Sequence, residues 1–384
     1  MTLYYITFGS CRGFEKYNLQ YSPAADQKGK YIIELLDKMQ IQFNAISLSN
    51  TGNQNLKWMP TMKVPCGENG AFIVWGMFGK ITKVIACLQN VLRLIQLNLF
   101  LKKLSCNDTV IVYHSLFIAK MIAKMKIKRQ YKLILEVEEI YQDVVNCSKK
   151  YAEEEREVIK IADGYILATE ALSKEIPSKK PYIVINGTYH AEPKRNVSFD
   201  DGKIHCVYAG TFDPTKGGAA AAAAAAEFLP KNYHVHILGF GSNEQTKNIK
   251  TQIDEIQKKA KCTLTFDGLK SGEEYIQFLQ KCQIGLCTQI PDAKYTETSF
   301  PSKILVYLAN GLRVLSVRIP AVENSSVGKS LYYYDKQKPS EIAKAIMKIP
   351  LNNNYDSRDI LRKLDRECEK NIKQLLEKLS NEIN

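Results

Sequence analysis

The sequence lacks several patterns that would assign it to a well-defined class. Its ten cysteines include no C-x-x-C pair, and this scatter favours reduced thiols over a disulfide framework or a zinc site. No Asp-x-Asp pair occurs, and no uncharged apolar run reaches the roughly 18 residues of a membrane-spanning helix. The apolar residues 3–8 have no basic segment before them. We therefore expect no signal peptide, no metal and a cytoplasmic location.

The composition is that of a folded chain with a basic first half. Of its 384 residues, 45% are hydrophobic and 24% are charged, which is enough for two compact domains with separate cores. The net charge is +13, which is compatible with an anionic partner. Between Gly76 and Arg129, ten lysines and arginines stand against one acid, Asp108.

Short β-rich runs alternate with helical patterns along both halves of the chain. These runs are residues 3–8, 43–48, 110–113, 133–136, 165–168, 182–185, 205–208, 235–238, 264–266, 284–287 and 314–317. Such alternation predicts an α/β fold with parallel sheets and helices on both faces. We predict two doubly wound, Rossmann-like domains, 1–190 and 204–350, a linker at 191–203, and a C-terminal helix in 351–384 that crosses back to the first domain.

A basic amphipathic helix is predicted between Met77 and Lys103. Its apolar residues recur at helical spacing, with Lys80, Arg93 and Lys103 off the stripe. The stripe fits either the core of the first domain or an anionic lipid surface with the basic side chains near the head groups. The pattern alone does not distinguish the two interpretations.

The strongest local pattern is a turn after residue 208 that runs into eight alanines, Ala219–Ala226. Small residues between a strand and a helix expose backbone N–H groups and the positive end of a helix dipole, which suits a diphosphate. The candidate contacts are Gly210, Thr211, Lys216, Gly217 and Gly218. The alternative is that the glycines are turn and packing residues ahead of a strong helix former.

A second turn of this kind runs from Glu297 to Lys303 and opens a helix over 304–310. Hydroxyls and a lysine at a helix start favour an anion, and the Glu297 carboxylate is suited to accept hydrogen bonds from sugar hydroxyls. The alternative is that Ser299 or Ser302 only caps the helix and Lys303 is a solvated charge.

Residues 208–316 resemble the donor-binding domain of family-4 glycosyltransferases of the GT-B fold. Between the two turns lie a Gly-x-Gly, Gly239 to Gly241, and a base-binding loop at Gly268-Leu269, in the family's order. The Gly-x-Gly lacks the third glycine of a dinucleotide fingerprint, which disfavours a nicotinamide dehydrogenase. The resemblance implies two domains facing a cleft. It also implies retaining, metal-independent transfer from a nucleotide sugar to a saccharide or lipid-linked saccharide, as in cell-surface polysaccharide biosynthesis, with no further cofactor.

The resemblance also implies roles for single residues. Lys216, Lys303, Glu297 and His114 would be catalytic, the lysines by stabilising the departing diphosphate. The implied donor contacts are Gly210, Thr211, Gly217, Gly218, Gly239, Gly241, Gly268, Leu269, Thr298, Ser299, Phe300, Pro301 and Ser302. The acceptor contacts, which follow strand ends of the first half, are Gly9, Ser10, Arg12, Gly13 and Glu138.

Three positions depart from the family pattern and keep other functions open. Thr298 and Val306 stand where the family often has two glutamates, and Thr211 where an arginine is common. A catalytically silent, GT-B-like partner protein is one alternative. A basic nucleic-acid-binding protein is another, although no helix-turn-helix, zinc finger or aromatic-basic RNA motif occurs. We rank an active transferase first, peripheral on the inner face of the membrane and without a nucleic-acid partner.

Overall fold

The computed structural model describes residues 2–54, 57–79, 82–144, 148–291, 299–351 and 354–381. The chain divides into two compact units. Unit 1 comprises Met1–Thr188 and Cys368–Asn384, and unit 2 comprises Tyr189–Glu367. Each unit has its own large sheet flanked by helices.

Unit 1 is built on an eight-stranded sheet. Its strands are β1 Leu3–Thr7, β2 Phe43–Ser47, β4 Met62–Cys66, β5 Gly70–Val74, β7 Thr109–Tyr113, β8 Lys132–Val137, β9 Gly164–Leu167 and β10 Tyr182–Val184, while β3 Trp58–Met59 and β6 Met77–Phe78 pair with each other. The order is β10-β9-β8-β7-β1-β2-β5-β4, with β4 antiparallel to β5. The helices are α1 Pro23–Lys38, α2 Lys83–Leu101, α3 Ala119–Arg129, α4 Tyr141–Val144 and α5 Lys149–Ile161.

Unit 2 is built on a six-stranded parallel sheet. Its strands are β11 Ile204–Thr211, β12 Tyr233–Phe240, β13 Thr263–Gly268, β14 Ile284–Cys287, β15 Arg313–Val317 and β16 Tyr332–Tyr334, in the order β13-β12-β11-β14-β15-β16. The helices are α6 Gly218–Ala225, α7 Asn243–Gln257, α8 Gly272–Lys281, α9 Lys303–Ala309, α10 Pro320–Glu323 and α11 Pro339–Met347. The segment 191–203, predicted as a linker, groups with this unit.

All eleven strands predicted from the sequence form, each within three residues of its predicted bounds. Most of them were visible because central strands of a parallel sheet are buried on both faces and read as continuous apolar runs. Strands β3, β4, β5, β6 and β16 were not predicted. Of these, β4 and β16 are edge strands, which need no such run, and β3 and β6 have two residues each. The predicted α/β class with two doubly wound, Rossmann-like domains is confirmed.

Helix α2 begins later than the predicted basic helix. Met77 and Phe78 form β6, and α2 begins at Lys83, after a Thr82 cap that accepts a hydrogen bond from the Ile85 N–H. Lys80 and Ile81, part of the prediction, lie outside the described residues. By length and composition, α2 is long and apolar enough to cross a membrane. The sequence predicted no membrane-spanning helix here because Arg93 interrupts the run of uncharged residues.

The predicted apolar stripe of α2 does not face the core of the domain. Arg93 is 1% exposed and donates hydrogen bonds to the backbone oxygens of Trp75 and Ser49, at 3.0 and 2.9 Å. The predicted apolar stripe lies on the opposite side, where Leu88 and Ile95 are 63% and 51% exposed. Polar contacts therefore help attach the helix to its domain, and an apolar face points outward.

The last helix, α12, spans Arg358–Asn381. It starts in unit 2, and its residues from Cys368 onward group with unit 1. Leu375 and Leu379 are buried there, close enough to Gly164 that an added methyl group would lie 3.1 and 3.2 Å from their Cδ1 atoms. The end of the chain is thus part of the core of the first unit.

Candidate functional site

Each sheet reverses its strand order at one point. In unit 1 the reversal lies between β1 and β7, and in unit 2 between β11 and β14. In parallel α/β sheets, ligands bind outside the carboxyl ends of the strands at such a point. The candidate site residues are therefore those that follow these four strands.

The turn after β11 in unit 2 is held by Asp213. The N–H groups of Lys216 and Gly217 donate to the Asp213 carbonyl at 3.2 and 3.1 Å. The Asp213 carboxylate accepts from the hydroxyl and the N–H of Thr215, and these bonds lower its pKa. Gly217 has a φ of 60° at the N-cap of α6, a conformation that glycine adopts without strain. The turn is thus shaped without a ligand, and the Lys216 side chain stays exposed.

Two glycines of this turn make room for neighbouring side chains. A methyl group on Gly210 would lie 2.8 Å from Lys303 Nζ, and one on Gly218 would lie 2.8 Å from the Tyr208 ring. The Tyr208 hydroxyl donates to the Thr211 carbonyl at 3.0 Å. Both glycines thus have a packing role, which brings Lys303 beside the turn, and their contact with a donor stays a prediction.

Lys303 is a half-buried cation at the start of α9. Its Nζ lies 3.8 Å from the centroid of the Tyr208 ring, a favourable cation–π distance. Burial lowers the pKa of Lys303 to about 8, with Cys287 opposing and Lys216 adding to the shift. No carboxylate of the described residues forms an ion pair with it. A cation so placed is suited to bind an anion.

Gly239 and Gly241 are required by packing. Gly239 has a φ of 145°, and a methyl group there would lie 1.7 Å from the backbone oxygen of Gly210 on the adjacent strand. A methyl group on Gly241 would lie 2.8 Å from Gln245 Oε1, which accepts from the Ser242 N–H in the capping box of α7. Strands β11 and β12 therefore approach closely where they end.

The predicted base-binding loop follows β13. Gly268 has a φ of 72°, and Leu269 is 66% exposed. The Asp267 carboxylate before them accepts from Thr265 and lies 3.1 Å from His236 Nδ1. An exposed leucine beside a glycine offers a flat apolar surface to an aromatic base, and this contact stays a prediction.

The second predicted turn falls partly outside the described residues, which exclude Glu297 and Thr298. Residues 299–301 are half-buried ahead of α9. Ser302 occupies the N-cap position, but its side chain makes no cap hydrogen bond. Helix α9 has only seven residues, so its dipole is short. The Lys303 side chain is therefore the main contribution of α9 to an anion site.

In unit 1, Asp26 fixes the loop after β1. Its carboxylate accepts from the Ser10 N–H at 2.7 Å and from Lys30 Nζ at 2.6 Å. A methyl group on Gly9 would lie 2.8 Å from the same carboxylate. The Ser10 N–H, predicted as an acceptor contact, is thus already paired, whereas Arg12 is exposed, as is Gly13.

His114 follows β7, as predicted, and is 1% exposed. Its Nε2 lies 3.4 Å from the buried Glu155 carboxylate, but neither ring nitrogen makes a hydrogen bond of good geometry. Burial lowers the pKa of His114 to about 4, so the ring is neutral at neutral pH. A neutral imidazole can donate a hydrogen bond to a sugar hydroxyl or accept one from it. That role of His114 stays a prediction.

A cluster near the ends of β1 and β8 joins Glu138, a predicted acceptor contact, to three residues that were not predicted as site residues. Lys28 of α1 pairs with the carboxylate of Glu138, and the Tyr5 hydroxyl donates to Glu136 at 2.6 Å. Burial raises the pKa of Glu136 to about 7, with Lys28 opposing and Glu138 adding to the shift. The ion pair with Lys28 fixes the position of the Glu138 carboxylate. The position of Lys28, one helical turn before Ile32 on the buried face of α1, was the available signal.

No protein-family model and no curated protein matches the sequence. Solved structures do match over nearly the whole chain. A sucrose-phosphate synthase from Thermosynechococcus elongatus has a TM-score of 0.66 at 12% identity over 99% of each chain. Anabaena HepE in complex with UDP and glucose has a TM-score of 0.63 at 11% identity, over 99% of this chain and 100% of the other. An α,α-trehalose 6-phosphate synthase from Burkholderia multivorans has a TM-score of 0.64 at 8% identity, over 99% and 96%. The chain thus shares the GT-B fold of these enzymes.

Proposed function

We propose that this chain is a glycosyltransferase that moves a sugar from a nucleotide-diphosphate sugar to a saccharide or lipid-linked saccharide. The observation that carries the proposal is Lys303, half-buried without a carboxylate partner among the described residues, beside the turn that carries Lys216. A diphosphate is an anion that would neutralise two such cations. The UDP and glucose bound to a protein of the same fold support this choice.

The proposed reaction needs Lys216 and Lys303 most when the bond between the sugar and the diphosphate of the donor breaks. The bond between the anomeric carbon and the diphosphate oxygen breaks, the acceptor oxygen bonds to that carbon, and its proton passes to the leaving phosphate. Negative charge builds on the diphosphate, which a desolvated ammonium stabilises more strongly than an exposed one. We propose a retaining reaction in which the two lysines take the place of a divalent ion.

For the acceptor we propose the residues that follow β1 and β7 in unit 1. The exposed Arg12 guanidinium would bind an acceptor phosphate, and neutral His114 would contact a sugar hydroxyl. The Gly9 to Gly13 loop, fixed by Asp26, would hold Arg12 in place.

We also propose a cytoplasmic enzyme of cell-surface polysaccharide biosynthesis, peripheral on an anionic membrane surface. The support is the outward apolar face of α2, formed by Val84, Leu88, Val91, Ile95 and Leu99, which are 49% to 69% exposed. Lys83 precedes this face, and Lys102 and Lys103 follow it, all exposed. Buried Arg93 ties the opposite face to the domain, so the helix would lie on the membrane surface.

The proposal is tested by binding of UDP, GDP and dTDP and their sugars, measured as thermal shifts and by calorimetry. Lys303→Gln keeps the volume of the side chain and removes its charge, so nucleotide affinity should fall about 10- to 100-fold. Lys216→Ala should act in the same direction. The matched control is Lys231→Ala, an exposed lysine before β12. Unchanged affinity in both site variants would refute the assignment of the donor site.

The pH dependence gives an independent check. Because the pKa of Lys303 is lowered to about 8, its charge is lost as the pH rises through that value, and nucleotide affinity should fall there. Lys303→Arg should extend tight binding to higher pH. Nucleotide binding without sugar transfer or donor hydrolysis would instead indicate the catalytically silent partner protein.

A further inference from the structure

Three of the five histidines of the chain lie together in unit 2. They are His205, near the start of β11, and His234 and His236 of β12. One ring nitrogen of each lies within 4.8 Å of the others. At about 3.3 Å per strand residue, the cluster lies about 16 Å from the turn after β11. It is therefore separate from the turn that carries Lys216, while Asp267, which contacts His236, precedes the predicted base-binding loop.

Each of the three rings has one nitrogen that faces an oxygen. His205 Nε2 lies 2.9 Å from the Asp201 carboxylate, His236 Nδ1 lies 3.1 Å from the Asp267 carboxylate, and His234 Nε2 lies 3.0 Å from the Thr265 hydroxyl. An ionised carboxylate only accepts hydrogen bonds. Since the Thr265 hydroxyl donates to Asp267, its oxygen is left to accept from His234. In neutral imidazoles, the protons therefore lie on these outward nitrogens.

The Asp201 and Asp267 carboxylates therefore each lie against a ring nitrogen that points away from the centre of the cluster. Such carboxylate–histidine pairs are the usual outer partners of metal-binding histidines, because they fix the ring orientation and the tautomer.

The inward nitrogens consequently carry lone pairs. His205 Nδ1 and His236 Nε2 lie 2.9 Å apart, and two lone pairs at this distance repel unless a cation lies between them. That cation is either a proton or a metal ion. A ring nitrogen of His234 also lies within 4.8 Å of this pair, so three ligand atoms are grouped as an ion with several ligands requires.

We propose that His205, His234 and His236 bind a divalent transition-metal ion, with zinc the best fit. Three neutral imidazoles are a common zinc ligand set, and Zn–N bonds of about 2.05 Å in tetrahedral geometry place two nitrogens about 3.3 Å apart. The pair at 2.9 Å would open by a few tenths of an ångström. The His234 ring, which stacks on His236 with centroids 3.9 Å apart, would rotate to bring its nitrogen, now within 4.8 Å of the others, to the ion. Phe199 stacks on His205 with ring centroids 4.1 Å apart.

The ion would be structural. It would join β11 to β12 and, through Asp201, fix the extended segment that precedes β11. Metal binding to the folded state would stabilise unit 2. It would leave the metal-independent transfer chemistry at the other end of these strands untouched.

The test uses the full chain, freed of metal with a chelator and then titrated with Zn²⁺. We expect one equivalent to be retained after gel filtration and a rise in Tm of about 3 °C or more. His236→Gln and His234→Gln should lose both effects, and His190→Gln, an exposed histidine outside the cluster, should keep them. If the His236→Gln variant unfolds, His234→Gln still tests the proposal, because His234 is only half-buried. Circular dichroism checks that each variant is folded.

Cobalt substitution separates this site from the cysteines. Nitrogen ligation of Co²⁺ gives visible d–d bands without the strong near-ultraviolet charge-transfer band of thiolate ligation. A thiolate band, an equivalent of zinc retained by both histidine variants, or no uptake by the parent protein would each overturn the proposal. In the last case, imidazole NMR should show a proton shared between His205 and His236.

Discussion

At the scale of single residues, burial decides which ionisable groups couple pH to stability. Glu136 is fully buried, with one oxygen bonded to Tyr5 and a pKa raised to about 7. Because the pKa in the folded state lies above the ordinary value of 4.5, the protonated form stabilises the fold. The free energy of unfolding should therefore be highest at acidic pH and fall as the pH rises through about 7.

We predict that Glu136→Gln removes this fall in the free energy of unfolding with rising pH. The amide keeps an acceptor for Tyr5 and carries no charge, so at pH 8 the variant should be more stable by on the order of 2–3 kcal/mol. Urea unfolding from pH 5 to 8 measures it. Glu157→Gln, an exposed carboxyl of α5, is the control. Parallel stability curves for the parent and Glu136→Gln would contradict the argument.

At the scale of elements, α2 shows an apolar face where a soluble domain usually shows a polar one. Next to it, exposed Trp58 and Phe78 pack against each other, and the Phe78 N–H donates to Gln89 of α2. Aromatic rings beside an apolar, lysine-flanked helix are typical of a lipid interface.

The α2 prediction is tested with vesicles. The parent protein should sediment with phosphatidylcholine–phosphatidylglycerol vesicles more than with phosphatidylcholine alone, and less at high salt. Leu88→Asp with Ile95→Asp should lower the bound fraction about tenfold or more. Met347→Asp, at an exposed apolar residue of unit 2, should not. Equal binding of both variants would rule out this face.

At the scale of the whole molecule, α12 makes the first unit depend on residues from the last part of the chain. Leu375 is 3% exposed and packs near the start of β9. Leu375→Ala should therefore lower the stability of unit 1 by about 2–5 kcal/mol. Glu377→Ala, exposed on the same helix, should change it by less than about 0.5 kcal/mol. Urea unfolding followed at the tryptophans Trp58 and Trp75 of unit 1 reports the difference, and equal midpoints would show that the end of α12 is dispensable.

The sequence by itself determined eleven of the strands, the fold class and the places where candidate site residues follow strand ends. It could do so because buried parallel strands and the turns after them are local patterns, as in the run from β11 through Lys216 into α6. Tertiary structure decided what those residues contact. The apolar stripe of α2 faces outward because Arg93 finds backbone acceptors inside the domain.

The same limit explains the residues that sequence reasoning missed. Lys28 and Glu138 are 110 positions apart in the sequence, and His205 and His236 are 31 apart. No local spacing of residues therefore predicts the Lys28–Glu138 pair or the histidine cluster. Lys303 was predicted from the sequence as a cation of the anion site, but its burial was not. No carboxylate in the described part of the chain pairs with Lys303, and burial beside the Tyr208 ring and Gly210 lowers its pKa, because desolvation depends on neighbours that only folding brings together.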